Sequence, residues 1–357
     1  MKKQLIPFFA GLAMLAACDP KTEEAPAPTP PPTSGVYILS EGQFGVGDGA
    51  VSVFNKSNKA LTVDAFGSAN NGARLGDVVQ SMGVQSGRGY IVVNASNKIE
   101  VVNMTDFKSV ATISGLTQPR YFTSTSGTRG YVTEWRGPYT GYLPGVLSIL
   151  NLTTNTVTSR VTVGRNPEQL LALGGKIYVP NSYDNTISVI DEATGTLAST
   201  ITVADGPGSL AADKDGNVWV LCSGFVSYLS VPPYTLTRVS NGTLVRFNPG
   251  SPTTQLKLAF PGTASPSKLR INTAKDQLYY SFGGAEYQIS TAATALPTAP
   301  FIRRSLSGFD IDPRDNSIFG AVAPSYNSNG RFIRYQATGA PIDSFEVKVG
   351  PNGFIFY

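Results

Sequence analysis

The sequence has no histidine. That absence excludes Ser-His-Asp catalysis, imidazole metal sites and axial histidine ligation. Cysteine is nearly as scarce, with Cys18 and Cys222 alone. Charge is thin too: 15% of residues, against roughly 25% in an average globular protein. The formal net charge is +4, and residues 1–17 carry two of the lysines and no acid. A nearly neutral chain without a basic run binds nucleic acid poorly and has no field to steer a strongly charged ligand. No long amphipathic helical pattern follows residue 35.

What is present suits strands and turns. Glycine (37) and proline (25) are dense, and Tyr, Phe, Val, Thr and Ser are plentiful. Residues 174–203, GGKIYVPNSYDNTISVIDEATGTLASTITV, show the unit. Residues 176–180 alternate around Ile177 and Val179. Residues 186–191 are β-branched and apolar. Residues 197–203 alternate again, and a further strand fits at 169–173, after the turn Arg165-Asn166-Pro167. Asn/Asp and Thr-Gly turns separate them, as in hairpins. Four antiparallel strands in roughly 40 residues make one propeller blade.

The unit recurs. Third-strand patterns end at Asn55, Asn103, Asn151, Asp191, Asn248, Gln288 and Gln336, spaced 48, 48, 40, 57, 40 and 48. A second series marks the turns between blades: Pro119, Pro167, Pro207, Pro266 and Pro351, with Leu75-Gly76-Asp77 and Leu306-Ser307-Gly308 in the two remaining slots. Proline just before a strand is tolerated, because its missing N–H is not yet needed by the ladder. Residues 36–41, 50–55 and 61–66 read as the second, third and fourth strands of a first blade that lacks an inner one. Residues 352–357 read as an inner strand with no blade of its own. Pairing the two leaves no open edge. The expected fold is all-β: a seven-bladed propeller of four-stranded antiparallel blades over residues 35–357, closed by the C-terminal strand.

The N-terminus reads as an address. Lys2 and Lys3 precede an apolar stretch, residues 5–17, that is too short to cross a membrane. It ends Leu15-Ala16-Ala17-Cys18, which resembles the bacterial lipobox. The resemblance implies cleavage before Cys18 and lipidation of that residue. No disulfide could then form within the chain. Cys222 lies in an apolar strand pattern and reads as a buried thiol. The segment DPKTEEAPAPTPPPTS, residues 19–34, is an extended, proline-rich linker. Its Lys-Thr-Glu-Glu resembles the acidic export signals of surface lipoproteins in Bacteroidota, which implies the outer face of the outer membrane.

Tyr178-Val179-Pro180-Asn181 followed by Thr186-Ile187-Ser188-Val189-Ile190-Asp191 resembles the YVTN, or YncE-like, propeller repeat. Residues 35–42, GVYILSEG, are similar to the opening of propeller lipoproteins from Bacteroidota. That group includes BtuG-type proteins, which bind cobalamin and cap a TonB-dependent transporter. The resemblance implies a ligand-binding surface lipoprotein with those two partners.

Long loops should crowd one face: residues 40–49, 133–145, 223–242 and 323–330. They carry Phe44, Trp135, Tyr139, Tyr142, Phe225, Tyr228, Tyr234 and Tyr326. Exposed aromatics are costly unless they pack on each other or on a ligand, and insertions on one face of a repeat protein commonly mark the binding face. Short turns add Arg120, Asn166, Gln169, Asn181, Tyr183 and Lys268. Together they describe an aromatic cup for a large, nearly neutral, amphipathic ligand. A corrinoid, a glycan or a partner protein's loop would suit it; packing of the loops onto neighbouring blades is the plainer reading. Glu41, Glu134 and Glu168 could pair for glycoside hydrolysis, or simply hydrogen-bond within loops. Asp213-Lys214-Asp215-Gly216-Asn217 lacks the remaining ligands of a calcium loop and reads as a hairpin turn. Gly45-Val46-Gly47-Asp48-Gly49 opens no helix and so cradles no phosphate. The expectation is a monomeric, non-enzymatic binding protein with no cofactor or metal, no nucleic-acid partner, and membrane contact through its lipid only.

Overall fold

A computed structural model describes Met1 and residues 35–137, 143–228, 236–262 and 264–357. All of the expected signal segment (1–17) but Met1, together with Cys18 and the linker, therefore lies outside the described residues.

The first sheet holds β1 (Gly35–Ser40), β2 (Ala50–Asn55) and β3 (Leu61–Thr62), followed by a short helix, α1 (Ala65–Ala69). The second runs β4 (Val79–Gln85), β5 (Arg88–Val93), β6 (Lys98–Asn103) and β7 (Ser109–Ile113). The third runs β8 (Pro119–Ser124), β9 (Arg129–Glu134), β10 (Pro144–Asn151) and β11 (Thr156–Arg165). The fourth is β12 (Leu171–Leu173), β13 (Lys176–Asn181), β14 (Thr186–Asp191) and β15 (Thr196–Thr202). In the fifth, β16 (Pro207–Ala212) and β17 (Val218–Cys222) are separated from β20 (Thr243–Asn248) and β21 (Ser251–Ala259) by a hairpin, β18 (Phe225–Tyr228) with β19 (Leu236–Ser240). The sixth has β22 (Ser267–Ile271), β23 (Gln277–Phe282) and β24 (Ala285–Ser290). The seventh is β25 (Gly308–Ile311), β26 (Ile318–Val322), β27 (Asn329–Tyr335) and β28 (Pro341–Val349). The last strand, β29 (Pro351–Phe356), returns to the first sheet and pairs antiparallel with β1.

The fold is a seven-bladed β-propeller with almost no helix. Its ring closes as expected, with Val36 opposite Phe356 and Ile38 opposite Phe354. Both faces of a blade's middle strands are covered by neighbouring blades, which is why they read as apolar runs rather than alternations. β1 is buried at all six positions. The core is divided into seven clusters, one per blade interface. At the seam between the last and first blades, Phe54, Phe319, Phe332, Phe345 and Phe354 pack as offset and edge-on rings.

Three local readings need correction. Residues 61–66 do not form a full outer strand. Asp64 is left-handed (φ 54°) and its carboxylate accepts from the Gly67 N–H, so the chain leaves the sheet and winds into α1. The sixth blade has three continuous strands, and an isolated bridge from Ile302 to Glu286 stands where a fourth would run. Its third strand ends at Ser290, two residues past Gln288. The long fifth-blade insertion contains a hairpin rather than loop alone.

Candidate functional site

The inner strands begin irregularly, and that irregularity builds the site. A β-bulge adds one residue to a strand, bends it and re-aims a side chain. Five of the seven inner strands carry one, at Gln80, Arg120, Gly208, Lys268 and Asn352. The backbone leading into four inner strands, bulged or not, is left-handed: φ is 48° at Gln118, 48° at Asn166, 71° at Gly206 and 65° at Gly350. Glycine and asparagine adopt this region with little penalty, glutamine less readily. In five blades a proline starts or precedes the inner strand, and the residue after it meets the axis: Arg120, Glu168, Gly208, Ser267 and Asn352.

These residues line a cavity of about 640 Å³ whose wall draws on every blade, from the inner strand in six and from the turn leading into it in the fourth. Arg120 dominates one side. Its Nη2 lies 3.1 Å from Glu168 Oε2, and its Nη1 donates to Gln80 Oε1. The guanidinium carbon is 4.1 Å from the Trp135 ring centroid and 5.8 Å from that of Tyr121. A planar, weakly hydrated cation is suited to such a stack. Burial raises the Glu168 carboxyl above the usual carboxylate range, and Arg120 restrains the rise. The Trp135 indole N–H adds to that restraint without closing a hydrogen bond of normal geometry.

The other side repeats the device. Arg270 pairs with Asp310 and also donates to the Leu269 carbonyl at 2.9 Å. Asp310 accepts from the Phe354 N–H at 3.1 Å. Burial raises the Asp310 carboxyl, against the pull of Arg270. Lys268 donates to the Leu306 carbonyl at 2.7 Å, and burial lowers its pKa. Asn352 Nδ2 donates to Glu41 Oε1 at 2.9 Å and to the Val79 carbonyl at 3.2 Å, which ties the closing strand to the second blade.

Of the residues read from sequence, Arg120, Gln169 and Lys268 line this cavity. Trp135 reaches it through Arg120. Asn181 does not: it is fully buried, and its amide donates to Thr186 and Ser188 within its own blade. Asn166 is buried as well, and its carbonyl accepts from Ser182. Tyr183 and Phe225 pack edge-on, with centroids 6.2 Å apart, and Arg165 lies over Tyr183. Here the aromatics join neighbouring blades, as the plainer reading held. Phe44 and Tyr326 stand out on the loops of the first and last blades, 65% and 93% exposed. Tyr228 ends β18. Tyr139, Tyr142 and Tyr234 lie outside the described residues.

Glu41 and Glu168 share the cavity, but Glu134 does not. It is buried in the third blade and accepts from the Thr117 N–H and the Ser148 hydroxyl. Asp213 is occupied by hairpin hydrogen bonds from Asp215, Asn217 and the Trp219 indole. Sequence reasoning missed Gln80, Arg270, Asp310 and Asn352. The proline series held the signal for Asn352; Gln80, Arg270 and Asp310 had none.

The sequence profile of DUF5074, a domain of unknown function, matches residues 34–320. The chain belongs to this family. No curated protein matches it in sequence. Among solved structures, a quinoprotein alcohol dehydrogenase-like protein from Bacteroides thetaiotaomicron is similar, with a TM-score of 0.63 at 15% identity over 89% of this chain and 78% of that one. AztD from Citrobacter koseri gives 0.55 at 11% over 91% and 98%. Hydrazine synthase from Kuenenia stuttgartiensis gives 0.54 at 12% over 75% and 86%. At such identities these neighbours share the propeller with this DUF5074 chain, and the likeness extends to fold alone.

Proposed function

We propose that this protein is a non-enzymatic, lipid-anchored binding protein of the cell surface that captures a ligand at the axial cavity. The observation that carries the proposal is the cavity itself. At about 640 Å³ it falls within the range of small-molecule sites, roughly 300–1,000 Å³. Four of its six charged side chains are already paired and its amides already placed, so little reorganisation opposes binding. Glu168 and Asp310 are each committed to an arginine, which suits recognition better than proton transfer.

The anchor rests on the lipobox-like Leu15-Ala16-Ala17-Cys18. Delivery to a TonB-dependent transporter, and a corrinoid as ligand, rest on the likeness of residues 35–42 to BtuG-type lipoproteins. A corrin ring is broad and rimmed with amides, and it would lie across the cavity mouth beside Trp135. The test is titration calorimetry of residues 35–357 with cyanocobalamin. Saturable one-to-one heat, weakened at least tenfold by Trp135→Ala, supports the corrinoid. A flat titration, with no co-elution on gel filtration, removes it.

A second reading has its own observation. Phe44 and Tyr326, on adjacent blades, are both strongly exposed. Such a rim fits contact with a protein partner or glycan.

A further inference from the structure

Six charged side chains line the axial cavity. Four cancel in pairs, Arg120 with Glu168 and Arg270 with Asp310. Lys268 and Glu41 remain, and neither makes an ion pair among the described residues. The hydrogen-bonding partner of each is neutral: the Leu306 carbonyl for Lys268 and the Asn352 amide for Glu41. Glu286, which does not line the cavity, is the charge felt most strongly at Lys268; it makes no ion pair with the lysine and accepts instead from Ser281 and the Leu306 N–H. Glu41 is felt there too, more weakly than Glu286 or Arg270. Lys268 is also held under strain. Its φ is 61°, inside the β22 bulge. Lysine has no intrinsic preference for that region, and strained residues persist where the surrounding structure imposes them.

Ligand charge follows from the balance. Among the lining residues, three fixed cations stand with three fixed anions. An added anion would pair with Lys268 and oppose Glu41, and an added cation would do the reverse. Within a partly desolvated cavity such mismatches are poorly screened. A molecule with both charges answers both groups and leaves the balance unchanged.

We propose that the cavity takes a small zwitterion, an amino acid or short peptide, with its carboxylate on Lys268 and its ammonium on Glu41. This rests on reading the axial cavity as a ligand site. The test titrates residues 35–357 with glycylglycine, triglycine and tetraglycine, and with the N-acetyl and C-amide form of each. One free peptide should bind at least tenfold more tightly than either blocked form. Lys268→Gln should erase the penalty for the C-amide, and Glu41→Gln the penalty for the N-acetyl group. Both variants keep a polar partner for their neighbours, and near-UV circular dichroism checks that they fold. Equal binding of free and blocked peptides, or unchanged discrimination in folded variants, overturns the zwitterion while leaving a ligand site in place. No peptide binding also overturns it; saturable cyanocobalamin binding in the same preparation would then show that ligand capture itself survives.

Discussion

Arg120 lies over the Trp135 ring, 4.1 Å from its centroid, while its guanidinium holds Glu168 on a neighbouring blade. One side chain thereby fixes a loop, two blades and the cavity wall. Replacing Arg120 with Met should cost about 3–5 kcal/mol, because it leaves Glu168 buried without its partner. The double variant Arg120→Met, Glu168→Gln should lose less than the single losses combined. Urea unfolding of the two single variants and the double one measures this. Full additivity would mean that the pair is not coupled.

The closing strand offers a sharper test of the ring. Removing residues 352–357 strips β1 of its inner partner, leaving β2 on the other side, and takes Phe354 out of the seam cluster. Burial of one phenylalanine is worth about 2–3 kcal/mol, and each lost backbone hydrogen bond about 1 kcal/mol. The truncated chain should lose on the order of 5 kcal/mol, or unfold without a single cooperative transition. A melting curve like that of the intact chain would contradict a closed seam.

Much of this architecture was legible because a repeat states its rule several times. The end of β14 at Asp191 and of β2 at Asn55 could be read from β-branched runs alone. So could closure, since an orphan inner strand at one end matched a missing one at the other. Two readings failed where local chemistry overrode the pattern. Asp64 turned a strand into α1, and the segment after Ser290 supplied a single bridge in place of a strand. The cavity was half legible. Arg120 and Lys268 stood out as charges beside turns. The pairings did not, although Glu168 was itself a candidate, because Arg120 and Glu168 are 48 residues apart, and Arg270 and Asp310 are 40. Pairing across blades depends on the bulges, and a bulge leaves no mark in a one-dimensional pattern.

Cys222 is fully buried, and burial pushes its thiol up to about 12. The thiolate is the reactive form. In folded residues 35–357, Ellman's reagent should therefore label less than a tenth of a thiol per chain over an hour at pH 8, and a full equivalent in urea. Rapid labelling of the native protein would show that the fifth blade opens.

The seam is also clamped by Lys56, which reaches from the first blade to Asp312 and Asp315 on the last, at 2.6 and 2.8 Å. Burial alone would raise the Asp315 carboxyl; the bond and charge of Lys56, together with the Ser317 hydroxyl and N–H, outweigh it and hold the pKa at about 2. Asp312 is lowered as well, against burial, by Arg314 and Lys56. The sign follows from linkage. A carboxyl whose folded pKa lies below its unfolded value stabilises the fold above the unfolded value, near 4, and that stabilisation is lost as pH falls toward the folded one. Stability should therefore drop between about pH 4 and pH 2. Lys56→Met should cost about 1–3 kcal/mol at pH 7 and flatten this acid limb, because the carboxyls no longer gain from the lysine. Thermal unfolding of both proteins at pH 7, 4 and 3 measures it. An acid limb equally steep in the variant would place the titrating groups elsewhere than at the seam.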